Sequence, residues 1–459
     1  MAELRHLVSI DDLSLAEMEA IFLKAREISE DLTGWSHLCQ GAITATLFYE
    51  PSTRTRLSFE SATQRLGGGV ITAADMRNSS ASKGESLADT VRVVSSSYAD
   101  LLVLRHPSEG AARLAADYAG VPVINAGDGS HEHPTQTLCD LYSLWVEHGH
   151  LEGLDVVLAG DLRYSRTIHS FAYALARFGA NLVCIPQHGF ELPPYVVKRL
   201  REEFGVEPIR ASGKRLGDLA KSSDVVYLTP QKPHQLSLFT DAKGKAQDIQ
   251  HVHAVYMTRP QTERYASGGS AESEEYMQLG KNTMAAESLK DAVVMHPLPR
   301  RDEISADFDS DPRGIYFKQA ARGVPVRMAL LAAFLGKIDV FDAEPKSALE
   351  VRRGEKDELR CPKESCISRT ELRHADTKYK LISRVPLQVA CAYCSHEIQV
   401  GAVGCRTTQE WHAPSSPQLK KVRPEEMAFF ADVKEAEDCG FQAAPGLSEA
   451  EREPAPPVL

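Results

Sequence analysis

The run Phe48-Tyr49-Glu50-Pro51-Ser52-Thr53-Arg54-Thr55-Arg56-Leu57-Ser58-Phe59-Glu60 carries the sharpest chemical signal in the chain. It reads as a strand end passing straight into a helix, with Ser52 placed to cap it and Leu57, Phe59, Ala62 and Leu66 supplying the apolar positions. The free backbone N–H groups then fall at Thr53, Arg54 and Thr55, and Gly67-Gly68-Gly69 offers the stop. Aligned amide dipoles, hydroxyls and a fixed guanidinium at one helix start favour a phosphate. A Ser/Thr cap alone would be an ordinary helix start, and the interleaved arginines and threonines are what turn the reading toward an anion site.

Further loops add convergent groups. In Asn125-Ala126-Gly127-Asp128-Gly129-Ser130-His131-Glu132-His133-Pro134-Thr135-Gln136, Pro134 suits a first helical turn and His133 and Gln136 flank the helix start. An imidazole at a helix N-terminus resists protonation, so His133 suits a neutral donor to a developing oxyanion. Arg105, after the apolar run at Leu101, is a third donor. Arg166 in Asp161-Leu162-Arg163-Tyr164-Ser165-Arg166-Thr167 and Arg259 in Tyr256-Met257-Thr258-Arg259-Pro260-Gln261 follow two later apolar runs, and two guanidinium forks suit a substrate with two carboxylates. In His296-Pro297-Leu298-Pro299-Arg300 the prolines predict an extended turn whose carbonyls stay available as acceptors for N–H groups.

Such groups converge only if the elements between them bring the loops to one edge. From about residue 43 to 340, short apolar runs alternate with amphipathic stretches, the rhythm of parallel sheets covered by helices. Runs at Ala42–Tyr49, Leu101–Leu104, Val121–Asn125, Val156–Gly160, Leu182–Ile185, Val225–Leu228, Val255–Thr258 and Val293–His296 read as strands, too many for one typical sheet. The expected fold is therefore α/β, with two doubly wound parallel-sheet domains at 1–145 and 146–342, a helix over Thr135–Val146 closing the first and a last helix over Pro325–Leu335. The polar stretch Thr229–His251 reads as a surface insertion. Beyond it the expectation is a linker at 343–359, a small β-rich cysteine unit at 360–410, with strands at Tyr379–Ile382 and Val385–Ala390, and an acidic, partly disordered tail at 411–459.

The bulk properties set bounds. At 459 residues the chain predicts two to four domains, and 43% hydrophobic with 25% charged residues is the balance of a globular protein. Its 52 basic and 63 acidic residues give a net charge of −11, which argues against a general nucleic-acid binder. No apolar stretch reaches the length of a spanning helix and the start lacks the apolar core of a secretory signal, so no membrane partner and a cytoplasmic location are expected.

Taken in order, Ser52-Thr53-Arg54-Thr55-Arg56, His133-Pro134-Thr135-Gln136-Thr137, Asp161 to Ser170, Tyr256-Met257-Thr258-Arg259 and His296-Pro297-Leu298-Pro299 resemble the successive motifs of aspartate carbamoyltransferase catalytic chains, over about residues 5 to 340. The resemblance implies a transferase of pyrimidine biosynthesis that moves the carbamoyl group of carbamoyl phosphate onto L-aspartate, in a catalytic trimer with active sites at subunit boundaries. It implies that Ser52, Thr53, Arg54 and Thr55 hold the phosphate, that Thr55, Arg105 and His133 polarise the carbamoyl carbonyl, and that Gln136 and the Pro297 and Leu298 carbonyls orient the carbamoyl nitrogen. Arg166, Arg259 and Gln261 would bind aspartate, joined by Lys83 from a neighbouring subunit together with Ser79 or Ser80.

Late in the chain, Cys361-Pro362-Lys363-Glu364-Ser365-Cys366 and Cys391-Ala392-Tyr393-Cys394 form two knuckles spaced for a closed four-thiolate zinc site, one structural Zn²⁺ per chain. Together with Ile367-Ser368, they resemble the zinc domain of the aspartate carbamoyltransferase regulatory chain. That likeness implies a domain that docks on catalytic chains and pairs trimers. The linker is too short for the nucleotide-binding domain that precedes the zinc unit in that family, so feedback by CTP or ATP through such a domain is expected to be missing.

Two alternatives make different demands. Ornithine carbamoyltransferases share the phosphate motif but carry a cysteine in a late His-Cys-Leu-Pro motif, where this chain has His296-Pro297-Leu298-Pro299. A non-catalytic zinc-containing binding protein would need no such set of converging site residues, and the net charge of −11 opposes a nucleic-acid partner.

Overall fold

The computed structural model describes residues 4–74, 76, 83–163, 165–210, 222–229, 251–259, 278–342, 351–353 and 359–445. In the first unit, strands β1 (Ile43–Phe48), β2 (Gly69–Ala73), β3 (Leu101–His106) and β4 (Val123–Asp128) form a parallel sheet in the order β2-β1-β3-β4. Apart from exposed Ile43 and half-buried His106, β1, β3 and β4 are buried throughout, as expected where helices cover both sheet faces. Strand β2, only five residues long and partly exposed along its length, escaped sequence reading. Helices α1 (Leu15–Glu30), α2 (Thr53–Arg65), α3 (Leu87–Ser97) and α4 (Ala111–Tyr118) supply the covering layers. Because β1 leads to β2 on one side and β3 lies on the other, a crevice opens at the carboxyl ends of β1 and β3.

Helix α5 (Pro134–His148) leads into a second parallel sheet of β5 (Asp155–Gly160), β6 (Asn181–Pro186), β7 (Ile209–Arg210), β8 (Ser222–Thr229), β9 (His251–Met257) and β10 (Val293–Met295). Its order, β10-β9-β8-β5-β6-β7, puts its own switch between β5 and β8. Helices α6 (Arg166–Arg177) and α7 (Pro194–Phe204) accompany it. The insertion expected at Thr229–His251 lies outside the described residues except for its ends.

The last helix of this part spans Tyr316–Phe334, beginning well before the expected Pro325 and running through that proline. Proline removes one backbone donor, but Tyr316, Gln319 and Gly323 are buried ahead of it, so packing against α1, α2 and α5 holds the earlier turns. This helix returns the chain to the first unit. Among the described residues no helix is long and apolar enough to cross a membrane.

Two small sheets follow. In the first, β11 (Val351–Arg353), β12 (Lys378–Arg384), β13 (Leu387–Cys391) and β14 (Glu397–Ile398) pair antiparallel, so part of the expected linker is a strand of the cysteine unit. The second contains β15 (Ala402–Cys405), β16 (Glu410–His412), β17 (Met427–Phe430) and β18 (Gln442–Ala443) in the order β17-β15-β16-β18. The tail expected from residue 411 is thus folded through 445. Trp411, Phe429, Phe430 and Phe441 are buried, and those side chains outweigh the acidic composition that suggested disorder.

The cysteine unit shares a hydrophobic core with α3, α4 and their strands. At the junction the Glu109 N–H donates to Ser365 O at 2.9 Å and the Ile367 N–H to Glu109 O at 2.8 Å. Tyr118 Oη donates to His374 O at 2.5 Å, and Lys378 pairs with Asp117 at 2.6 Å. Gly110, at φ +81°, permits the close approach: a Cβ there would lie 2.5 Å from that of Tyr393.

Candidate functional site

A cleft of about 440 Å³ opens where the carboxyl ends of β1, β3 and β4 meet those of β5, β9 and β10. Its lining includes Ser52, Thr53, Arg54, Thr55, Arg105, His133, Gln136, Arg259, Pro297 and Leu298, residues that the sequence spreads over some 250 positions. Thr53 opens α2, so the amides of its first turn face the cleft without intrahelical partners. Ser52 holds the cap position at φ −158° and ψ 88°, and contrary to expectation its side chain makes no capping hydrogen bond. That backbone angle leaves the hydroxyl uncommitted to the helix.

The cationic groups are crowded. Burial, then the charges of Arg105 and Arg259, press the Arg54 guanidinium below its usual basicity. Such a cluster gains from an anion. Arg105 is fixed by donating Nη2 to Glu50 Oε1 at 2.6 Å and Nη1 to Ala126 O at 3.0 Å, while its Nε is buried without a hydrogen-bond partner. Gly127, at φ +113°, lets Arg105 and His133 close together, since a Cβ there would lie 2.9 Å from Arg105 Nη1 and 3.3 Å from His133 Cδ2. Its own N–H donates to Asn125 Oδ1 at 2.8 Å, and Asn125 Nδ2 donates to Asp128 Oδ1 at 3.0 Å, bracing the loop.

Behind Gln136 sits a buried carboxyl. Asp140 Oδ1 accepts from Gln136 Nε2 and from Gln319 Nε2, each at 2.8 Å, and Oδ2 accepts from the Tyr256 hydroxyl at 2.8 Å. Burial outweighs these donors and pushes the Asp140 carboxyl up to about 7. Gln319 Oε1 in turn accepts from the His296 N–H at 2.8 Å. His296 Nδ1 accepts from the Leu298 N–H at 2.7 Å, so the ring proton sits on Nε2 and is donated to Glu303 Oε1 at 2.8 Å. Burial lowers the His296 pKa and favours that neutral ring. Leu298 adopts φ +54°, so the segment expected to be extended turns through a left-handed residue held by the imidazole.

Lys83 is exposed and does not line the cleft of its own chain. Arg166 is the first residue of α6, but its side chain, like Gln261, Ser79 and Ser80, lies outside the described residues. Sequence reading passed over Glu50, Thr167, Gln319 and Arg327, which also line the cleft. Arg327 had a readable signal, a lone charge in the apolar run from Val324 to Leu335. It is buried, with Nη1 donating to Ser58 Oγ and Gly323 O at 3.1 Å each.

Cys361, Cys366, Cys391 and Cys394 are buried with their sulfurs within 4.8 Å of one another. Sγ separations are 3.7 Å for Cys361 and Cys394 and 3.8 Å for Cys366 and Cys391. At a metal–sulfur distance of about 2.3 Å a tetrahedron has an edge of about 3.8 Å, so the four thiolates fit one ion with no open position.

Comparison with known proteins gives three family matches: the aspartate/ornithine carbamoyltransferase carbamoyl-P binding domain over residues 5–146, the Asp/Orn binding domain of the same group over 229–334, and the aspartate carbamoyltransferase regulatory chain metal binding domain over 356–403. The aspartate carbamoyltransferase catalytic subunit of Clostridium kluyveri is 43% identical over 341 residues, 72% of this chain and 98% of the relative. Among solved structures, the catalytic subunit of M. jannaschii aspartate transcarbamoylase matches with a TM-score of 0.59 at 41% identity, over 72% of this chain and 98% of that one. Aspartate transcarbamoylase from Trypanosoma cruzi, in complex with carbamoyl aspartate and phosphate, matches with a TM-score of 0.57 at 32% identity, over 72% and 95%.

Proposed function

This chain belongs to the aspartate carbamoyltransferase family, with a regulatory-chain-type metal-binding domain behind the catalytic part, and from that premise we infer how its cleft works. The reaction transfers the carbamoyl group of carbamoyl phosphate to the amine of L-aspartate, giving N-carbamoyl-L-aspartate and phosphate in pyrimidine biosynthesis. The convergence of Arg54, Arg105 and Arg259 in one cleft carries this reading, because an acyl phosphate and a dicarboxylate are the anions that such a cluster accommodates.

In our reading the first turn of α2, with Ser52, Thr53, Arg54 and Thr55, holds the phosphate. Thr55, Arg105 and His133 donate to the carbamoyl oxygen, which becomes an oxyanion when the aspartate nitrogen attacks the carbonyl carbon. Gln136 and the Pro297 and Leu298 carbonyls orient the carbamoyl NH₂, and Asp140 with Gln319 keeps Gln136 in place. Collapse of the tetrahedral species breaks the carbon–oxygen bond to phosphorus. Phosphate leaves, positioned to take the proton from the nitrogen. No covalent bond to the protein is required, so positioning and a preset electrostatic field supply the acceleration. Arg166, Arg259 and Gln261 would receive the aspartate carboxylates.

We further propose that Lys83 completes the cleft of a neighbouring copy, making a trimer the smallest complete enzyme. Its exposure away from its own cleft supports this, as do exposed Leu57, Ile71 and Val93 on the same unit. The four cysteines would take Zn²⁺, which suits a closed thiolate tetrahedron, and the unit that it organises would join trimers. Its role is structural; it supplies no open position for chemistry.

Testing needs the acceptor and the first substrate. With carbamoyl phosphate present, aspartate should be carbamoylated and ornithine should not; calorimetry should register heat on titrating carbamoyl phosphate alone. Ornithine turnover, or a silent titration, refutes the assignment.

A further inference from the structure

Far from the cleft, four histidines and a carboxylate gather where the end of α5 meets the starts of β8 and β9. His148 is the last residue of α5, Asp224 lies near the start of β8, and His251 and His253 open β9. The ring centroids of His148 and His253 are 4.9 Å apart, those of His148 and His150 4.6 Å, and those of His251 and His253 4.6 Å. Asp224 Oδ2 accepts the Asp155 N–H at 2.8 Å, which fixes the carboxylate. Its other oxygen faces two imidazole nitrogens, with Oδ1 3.0 Å from His253 Nδ1 and 3.3 Å from His148 Nε2. His148 Nε2 is buried and makes no well-formed hydrogen bond.

We propose that His148, Asp224 and His253 form a second metal site, distinct from the four cysteines, for a divalent first-row ion such as Zn²⁺ or Ni²⁺. Donor spacing, ligand chemistry and an outer hydrogen bond meet in it. The donor atoms lie within 4.8 Å of one another, a spacing that one ion gathers with a small side-chain adjustment. At metal–ligand distances of about 2.0–2.2 Å, neighbouring donors in a tetrahedral or octahedral shell lie roughly 3.0–3.5 Å apart, the range in which the two nitrogens stand from Oδ1. Two imidazoles with one carboxylate select these ions over magnesium or calcium, which prefer oxygen. The Asp155 amide is the outer partner that such a carboxylate ligand needs.

Its place in the fold assigns the ion a mechanical role. Helix α5 begins beside His133 and Gln136 at the cleft and ends at His148, about 20 Å away at 1.5 Å per residue. Strand β9 runs the other way, from His253 toward Thr258 and Arg259 at the cleft. A bound ion therefore ties the far end of the helix that presents Gln136 to the far end of the strand that presents Arg259, fixing the spacing of the two cleft walls without touching substrate.

The test uses the untagged full chain with its thiolate site filled. Equilibrium dialysis against Ni²⁺ should load one further equivalent per chain and raise the thermal midpoint. His253→Ala, at a half-exposed position, and the nearly isosteric Asp224→Asn should each weaken that uptake at least tenfold and abolish the thermal shift, while His188→Ala at an exposed site elsewhere should leave both unchanged. Failure of the wild type to take up the further equivalent overturns the site, and so does uptake that survives both substitutions.

Discussion

Replacing Asp140 with asparagine exposes the electrostatics beneath the cleft. The carboxyl titrates near 3.8 when solvated and at about 7 in the fold, raised chiefly by burial. Between those values the native state holds a proton that the unfolded chain has lost, so this group's stabilisation is full below pH 3.8 and declines as pH rises through 7. Integrating the difference in bound protons from pH 5 to pH 8 gives a loss of about 3 kcal/mol. Asp140→Asn has no such proton to lose, and its amide oxygen still accepts from Gln136 and Gln319. Relative to wild type, the variant should gain about 3 kcal/mol between pH 5 and pH 8, a change of several degrees in thermal midpoint for a chain of this size. Calorimetric scans across that range measure it. An infrared band of a protonated carboxylic acid, fading with a midpoint near pH 7 and missing from Asp140→Asn, identifies the group. Parallel melting curves for the two proteins, or a band that vanishes near pH 4, would refute the reasoning.

Other consequences are equally direct. Arg54→Ala should raise the barrier by about 2.7–4 kcal/mol, seen as a 10²–10³-fold fall in kcat with unchanged circular dichroism; wild-type kinetics would remove Arg54 from phosphate binding. Cys391→Ala should lose one metal equivalent per chain and lower the assembled mass on a sizing column before it slows turnover by the remaining chains, so retained mass would contradict the assembly role. Gly110→Ala places a Cβ 2.5 Å from Tyr393 Cβ at φ +81°; it should cost at least about 1–2 kcal/mol and make the cysteine unit protease-sensitive, read by limited digestion at several temperatures.

Much of the cleft was readable because its groups sit in short local patterns. Helix starts at Ser52 and Pro134 and the apolar strands preceding Arg105 and Arg259 each announce themselves within a dozen residues. The parallel sheets followed from the same runs. What escaped depends on contacts distant in sequence. Asp140 resembles any polar residue of a helix until Gln319 and Tyr256, far along the chain, close around it. Strand β2 carries only the short run Val70-Ile71-Thr72-Ala73 directly after three glycines read as a helix stop, and as a partly exposed edge strand it needs no longer one. The folded segment after residue 410 hid behind its acidic composition, although Trp411 and Met427-Ala428-Phe429-Phe430 were enough to build a core. Left-handed Leu298 was illegible because His296, not the neighbouring prolines, dictates that angle.

The seam at Glu109, Gly110 and Ile367 joins two surfaces of a single polypeptide. On separate chains the partners of such a seam come apart on dilution, and their ratio depends on balanced synthesis. Covalent attachment instead keeps the second surface at an effective concentration on the order of millimolar beside the first. Every carbamoyl-transferring unit is therefore made with its own metal-binding domain, one to one, and the affinity between them need never be high for the pair to stay joined.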